Sequence, residues 1–566
     1  MSSLIKSLAL KNFKGFSDEV RIELRSITLL FGANSAGKSS VLQALQYVRE
    51  ILERQNVNAD RTLQGGEAVD LGGFMNLVHG RDPERQIEIE VEMVLGEESI
   101  PELVPEPFED WQTQDSDVWA YYNTLQEIRR RVEAVSVRLI VAWSERREEP
   151  VVVGYQIGTN GEWCVKLEST ADGRDTRMRI NRDNPIFMVE RELEEAFDLD
   201  ALDEWVSARD FQNTGDFDQV ESATDKTGKQ LVSLVGDLFF AVKEAGLVRP
   251  GDGLRSWLTQ LNGALPRLDQ MLSIPAPGAQ GAENVYVARE FTAFLSWLTV
   301  GPAVLLRDQL RKMRYVGPLR RIPPRGFEVS LTKSESAWSD GMAAWETLVT
   351  GSQNLVYRVS DWMQSPAKLG TGYAVIRKAY QEFDPHDPVP QTIGPIRRRA
   401  QLVDGLGLTL HPQDVGVGIS QVLPVVVAAQ DGSASVVCIE QPELHIHPAV
   451  QVGLGDLFID GALNQGLSFL IETHSEHLVM RLQRRLREQV LGELPGDMPA
   501  VDPKDINFVY LGRDEQGSVT VSQIGLTPEG KFDSPWPNGF FSERAAEVLP
   551  SAMRERMEAS RRGGGK

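Results

Sequence analysis

The chain predicts an α/β fold in which a phosphate-binding head is split in sequence, with a large, mainly helical insertion and a small C-terminal module. Three segments predict it. The apolar run Ile27–Phe31 passes at once into Gly-Ala-Asn-Ser-Ala-Gly-Lys-Ser over residues 32–39, then into a helix-like stretch, Val41, Leu42, Ala44, Leu45 and Val48. A second apolar run, Val436-Val437-Cys438-Ile439, ends in Glu440. A third, Ile471-Glu472-Thr473-His474-Ser475, also ends at a polar tip.

The first segment is a P-loop in its proper context of strand before and helix after. Its glycines let backbone N–H groups curl around phosphate oxygens, and the helix N-terminus adds partial positive charge there. Gly32, Asn34, Ser35, Ala36, Gly37, Lys38, Ser39 and Ser40 are the expected nucleotide-binding residues. Lys38 would reach the β- and γ-phosphates and the Ser39 hydroxyl would ligate Mg²⁺. The expected cofactors are therefore ATP and Mg²⁺.

Glu440 ends its strand as a Walker B acid, placed to hold the Mg²⁺ water shell. His474 is expected at the γ-phosphate. Gly416-Val417-Gly418-Ile419-Ser420-Gln421 opens a helix-like run, a second anion-binding device. Gly418, Ser420 and Gln421 are its expected nucleotide contacts. Taken singly, each piece has a plainer reading: a strand-end acid, a structural histidine, a loop before a helix. Their order along the chain is what joins them into one site.

At 566 residues the chain is too long for one hydrophobic core. Acidic residues outnumber basic ones, 81 to 59, for a net charge of −22. That disfavours a surface that coats nucleic acid and leaves room for a local basic patch. The 2 cysteines, Cys164 and Cys438, provide neither a disulfide framework nor a thiolate zinc site, and fit a reducing cytoplasm. The N-terminus lacks the apolar stretch of a signal peptide, and no run is long enough to span a membrane. Histidines at 445, 447, 474 and 477 cluster, but Mg²⁺ with ATP is the metal expected, not zinc.

Alternating patterns place strands at Leu4–Leu10, Val20–Leu24, Ile87–Leu95, Val137–Trp143 and Val151–Ile157. Residues 98–120 are acidic and Pro-rich, hence loop. A helical pattern begins near residue 185, with Leu231, Leu234 and Leu238, then Trp257, Leu258 and Leu261, then Phe294, Leu295 and Leu298. Further strands are expected at Tyr373–Arg377, Leu402–Leu410, Ser435–Ile439, Leu467–Ile471, Ile506–Leu511 and Ser518–Ile524. The expected domains are 1–95, the first half of the head; 96–310, the insertion; 311–490, the second half; and 491–566, a C-terminal module. Arginines cluster at Arg311-Lys312-Met313-Arg314, Arg320-Arg321, Arg325, Arg397–Arg399 and Arg481–Arg487, candidates for a DNA or RNA contact.

The chain resembles the RecF/SMC/OLD-type ABC ATPases of bacteria, AAA-type proteins with a split head. The resemblance is carried by Lys11-Asn12-Phe13-Lys14-Gly15-Phe16, Gly32–Ser40, Gly416–Pro424, Glu440–Pro448 and Thr473-His474-Ser475. Within them it is similar to a subgroup with a small C-terminal domain of unknown function, through Trp536-Pro537-Asn538-Gly539-Phe540-Phe541-Ser542-Glu543-Arg544. It covers roughly residues 1–95 and 315–545 and leaves the middle poorly matched.

The resemblance implies a homodimer, or a higher even oligomer, in which the Gly416–Gln421 segment closes on a partner's ATP. It implies that Lys14 lies near the adenine or α-phosphate, that His474 is a switch histidine, and that Gln64 is a Q-loop residue near Mg²⁺. It also exposes a departure. Most relatives carry a glutamate after the Walker B acid, and this chain has Gln441. An amide cannot take a proton as a carboxylate does, and losing a general base costs roughly 10²–10⁴-fold in rate. Two readings follow: slow ATP hydrolysis, the one favoured, with Gln441 orienting water and Glu443 or His474 assisting, or hydrolysis effectively off with ATP as a long-lived clamp. No Toprim-type nuclease set follows Ser475. The resemblance therefore implies a cytoplasmic sensor or regulator of a separate effector, a nuclease or toxin, in anti-phage defence. The alternative is a RecF-like ATP-gated DNA clamp.

Overall fold

The computed structural model describes residues 5–54, 70–96, 99–103, 125–181, 183–192, 229–233, 263–273, 282–327, 336–383 and 392–537, with isolated positions 123, 329 and 386. The chain divides into two compact units. One joins residues 1–82 to 309–566, and the other spans 83–308.

The first unit is the head. Its six-stranded sheet runs in the order Arg314–Val316, Val436–Glu440, Ser468–Glu472, Ile27–Gly32, Ile506–Arg513, Val519–Ile524. Every neighbouring pair is parallel except the last. Parallel strands covered on both faces read as unbroken apolar runs. Accordingly every residue of Ile27–Gly32, Val436–Glu440 and Ser468–Glu472 is buried.

The covering helices follow from their sequences. Lys38–Arg54 is amphipathic and follows the P-loop directly. Val417–Gln430 is apolar nearly all round and is buried from Ser420 to Gln430, as a core helix should be. Pro448–Asn464 starts with proline at its first turn behind the His447 cap, whose imidazole accepts from the Ala449 N–H. Glu476–Leu491 is capped by Ser475 and stops at Gly492, which takes the left-handed conformation. A three-stranded sheet, Ala374–Phe383, Thr392–Val403 and Thr409–Leu410, adds to this unit.

One expectation changes here. The sequence assigns residues 506–524 to a separate C-terminal module, yet Ile506–Arg513 pairs in parallel along the whole P-loop strand, from Ile506 opposite Ile27 to Leu511 opposite Gly32. Trp536 then packs edge-on against Phe31 and Phe532, at 5.1 and 5.2 Å between ring centroids. Residues 506–537 are thus part of the head core, because a strand from the far end of the chain covers that edge of the P-loop strand.

In the second unit Ile87–Val94, Ala134–Ser144, Glu149–Thr159, Glu162–Ser169 and Thr176–Ile180 form an antiparallel meander. Ile87–Val94, expected in the head, belongs to this unit. Met188–Glu192 and Lys229–Ser233 are paired strands, so the helical reading that begins near residue 185 fails at both. The Leu-Val core of the latter suits either state, and pairing decides it. Ala282–Thr299 is helical as expected. The Leu234, Leu238, Trp257, Leu258 and Leu261 pattern, most of the 98–120 loop and residues 538–566 lie outside the described residues. No helix among the described residues is long and apolar enough to cross a membrane.

Candidate functional site

The site forms where the parallel strands of the head end side by side. The P-loop follows Ile27–Gly32, and its tip, Ala33 to Ser35, is exposed. Gly32 has φ +144°, and a Cβ there would lie 2.3 Å from the Leu511 carbonyl oxygen, so only glycine lets the two strands meet. Arg513, from the same neighbouring strand, donates to the Ser35 carbonyl at 2.7 Å.

Lys38 is 4% exposed. Its ammonium donates to the carbonyls of Gly32 and Ala33, both at 3.0 Å. Burial lowers its pKa, and nearby Glu472, Glu443 and Glu440 oppose that shift. Ser39 donates its hydroxyl to Glu472 Oε2 at 2.6 Å. Lys14 bonds Gln43 on the P-loop helix through its ammonium, and its pKa is lowered by burial, partly offset by Asp70 and Glu440. Lys14 therefore sits beside the P-loop, while Gln64 lies outside the described residues.

Glu440 accepts from the Tyr315 hydroxyl, and burial raises its pKa. Glu443 accepts from the Thr473 hydroxyl at 2.8 Å and the His474 backbone N–H at 2.7 Å. Its pKa is also raised by burial. Both its oxygens are thus engaged in holding the histidine turn. His474 Nε2 is buried with no hydrogen-bond partner. Burial and the Lys38 charge lower its pKa. Gln441 is partly exposed at φ +44°, its N–H bonded to the Glu472 carbonyl at 2.8 Å.

Positive φ recurs around the site in non-glycine residues: Lys14 at +50°, Ser35 at +63°, Gln441 at +44° and His445 at +61°. Such backbone costs of order 1–3 kcal/mol per residue and clusters where function needs it.

The Gly/Ser segment behaves differently from expectation. Ser420 is fully buried and donates to the Pro412 carbonyl, and Gln421 is 5% exposed and exchanges bonds with the Arg320 backbone. A Cβ on Gly418 would lie 2.7 Å from the His445 carbonyl oxygen. These side chains therefore pack within their own head, and the solvent-facing part of the motif is Gly416 and Val417.

Arg320 also departs from its expected role as a nucleic-acid contact. It is 3% exposed and bonds the carbonyls of Gln421 and Glu440. Burial pushes its pKa down to about 10 against the opposing pull of Glu443 and Glu440. It is the buried cation beneath the acid cluster. Arg481 and Arg485 pair with the buried Asp456, Arg321 with Asp340 and Arg325 with Asp414. Arg481 and Arg485 serve the fold, whereas Arg321 and Arg325 form exposed surface pairs. Arg311, which pairs with Glu53, Arg314, which pairs with Asp431, Lys312 and Arg397–Arg399 line one cleft of about 1240 Å³ with Trp338 and Ile396.

The donor set fits Mg-ATP. A P-loop lysine resting on its own carbonyls, a hydroxyl on a carboxylate and an orphaned buried imidazole nitrogen are the groups a triphosphate and its cation would engage. Sequence reasoning misses Arg513, Tyr315 and Glu472. The last carries a legible signal: it too is an acid closing an apolar strand.

Two family descriptions match the chain. Residues 4–173 match "AAA ATPase domain". Residues 346–481 match "AAA domain, putative AbiEii toxin, Type IV TA system". No curated protein matches. Among solved structures, the chain is similar to an SMC head bound to the C-winged helix domain of ScpA, at 12% identity, covering 92% of this chain and 98% of that one, with TM-score 0.36. It is similar also to the Smc head with an extended coiled coil bound to the C-terminal domain of ScpA from Pyrococcus furiosus, at 12% identity, 92% and 96% coverage and TM-score 0.35. A third is the SMC head domain from Thermotoga maritima, at 9% identity, 92% and 98% coverage and TM-score 0.34.

Proposed function

We propose that this chain, a split-head P-loop ATPase of the RecF/SMC/OLD type, binds Mg-ATP between two copies of itself and regulates a separate effector, a nuclease or toxin, in bacterial defence. The observation that carries the ATP reading is the meeting of Lys38, Ser39, Glu440, Glu443, Glu472 and His474 at adjoining strand ends. The description matched by residues 346–481 supports the defence setting.

Ser39 and the neighbouring acids would hold Mg²⁺, which would supply positive charge against the phosphates. The residues do the rest. Lys38 exchanges its two carbonyl partners for phosphate oxygens. His474 Nε2 takes the γ-phosphate as its partner, held in place by Glu443 through the backbone N–H. Gln441 orients water without accepting its proton, so turnover is slow. Val417, 51% exposed at the start of a helix buried from Ser420 onward, is an apolar contact available to a second copy. The seat of action is the cytoplasm.

The test is ATP turnover with molar mass by light scattering, with and without ATP. The wild type is expected to turn over slowly and to double in mass with ATP. Lys38→Ala should do neither, and Gln441→Glu should hydrolyse about 10²-fold faster. Equal turnover in wild type and Lys38→Ala would sink the reading.

The cleft lined by Arg311, Lys312 and Arg397–Arg399 favours a second reading, a DNA clamp gated by ATP. Stimulation of turnover by duplex DNA would mark it.

A further inference from the structure

The Walker B strand and the histidine strand run in register, with Glu440 directly opposite Glu472. Two acids therefore end neighbouring strands at the P-loop, and the structure gives them different work. The Glu440 carboxylate accepts from the buried Tyr315 hydroxyl, while its backbone carbonyl receives Arg320 at 2.7 Å. The Glu472 carboxylate spans the P-loop. One oxygen accepts the Ser39 hydroxyl at 2.6 Å, and the other lies 3.9 Å from the Lys38 ammonium. Both Lys38 and Glu472 side chains are under a tenth exposed, at 3% and 8%. Among the described residues Ser39 donates to no other acid.

We propose that Glu472, rather than the Walker B acid Glu440, is the positioning residue for Ser39 and for the divalent cation that Ser39 ligates. The assignment rests on the ATP reading above. A serine hydroxyl has one proton and two lone pairs. Giving the proton to Glu472 fixes the Ser39 rotamer and leaves its lone pairs for a cation. Carboxylates that orient a metal ligand in this way are commonly worth 10–100-fold in metal affinity. Glu472 also competes with phosphate for Lys38. Its removal is therefore expected to weaken the cation and to spare, or favour, the bare nucleotide. A purely structural acid would weaken both.

The experiment is calorimetric binding of a slowly hydrolysed ATP analogue to the full chain across a Mg²⁺ series, with an EDTA control. Wild type, Glu472→Gln and Glu440→Gln are compared. Glu472→Gln is expected to raise the Mg²⁺ midpoint at least about tenfold, with Mg-free affinity unchanged or tighter. Glu440→Gln is expected to move the midpoint by less than about threefold. A midpoint moved by Glu440→Gln and not by Glu472→Gln, or by neither, would overturn the assignment. So would Glu472→Gln weakening Mg-free binding as much as it weakens Mg²⁺. Should Glu472→Gln lose its cooperative melt, Glu472→Asp, one methylene short of Ser39, replaces it with the same expected shift. No nucleotide binding by the wild type, with Lys38→Ala alike, would instead overturn the ATP reading and this assignment with it.

Discussion

His474 combines a buried nitrogen that lacks a partner with a neighbouring ammonium, and both features disfavour the imidazolium. Its folded pKa lies below its unfolded value of about 6.5. As pH falls through that value the unfolded chain takes the proton first, so the residue subtracts stability in acid and is neutral to stability above. His474→Gln is accordingly expected to lose less melting temperature between pH 7.5 and pH 5.5 than the wild type does. An equal or larger loss in the variant, measured by calorimetric melting, would contradict this. The P-loop residues, Glu440 and His474 are legible in the sequence because each is a polar tip on an apolar run. Glu472 satisfies the same rule and is masked by its neighbours Thr473 and His474, which form the better-known motif. The burial of Ser420 and Gln421 is not legible, since a Gly/Ser helix start reads alike whether it faces solvent or its own core.

At the scale of elements, one buried acid locks two helices. Asp456, 2% exposed on Pro448–Asn464, receives Arg485 Nε and Nη2, both at 2.7 Å, and Arg481 at 3.0 Å, from Glu476–Leu491. Asp456→Ala would leave Arg481 without its buried acid and Arg485 with Glu488 alone, so the cost should approach the about 3–5 kcal/mol of an uncompensated buried charge. The denaturant midpoint should fall accordingly, with Asp456→Asn in between. The helix after the histidine motif is thereby fixed from behind, which holds the turn bearing His474. Strand positions are read well from alternation and apolar runs. The exception, Lys229–Ser233, is a short apolar segment with no period of its own, and its partner Met188–Glu192 lies too far away in sequence to be heard.

Across the whole molecule, charge is unevenly held. A chain of net charge −22 gathers Arg311, Lys312 and Arg397–Arg399 on one cleft. If duplex DNA binds there, each guanidinium on a phosphate displaces about one counterion. Arg397→Ala or Arg398→Ala should then flatten the salt dependence of affinity by about one in log–log slope. Unchanged slopes in filter-binding titrations would assign the cleft to another partner.

The strand beside the P-loop, Ile506–Arg513, gives the nascent chain a timetable. The ribosome delivers the P-loop long before Leu511, the neighbour that Gly32 is shaped to meet. At about 5–20 residues per second, the interval is on the order of half a minute to a minute and a half. Until then that edge of Ile27–Gly32 waits for its strand, and Arg513 is not there to hold Ser35. A message cut short before residue 506 would therefore yield a chain whose P-loop strand lacks its neighbour on that edge and whose Ser35 lacks Arg513.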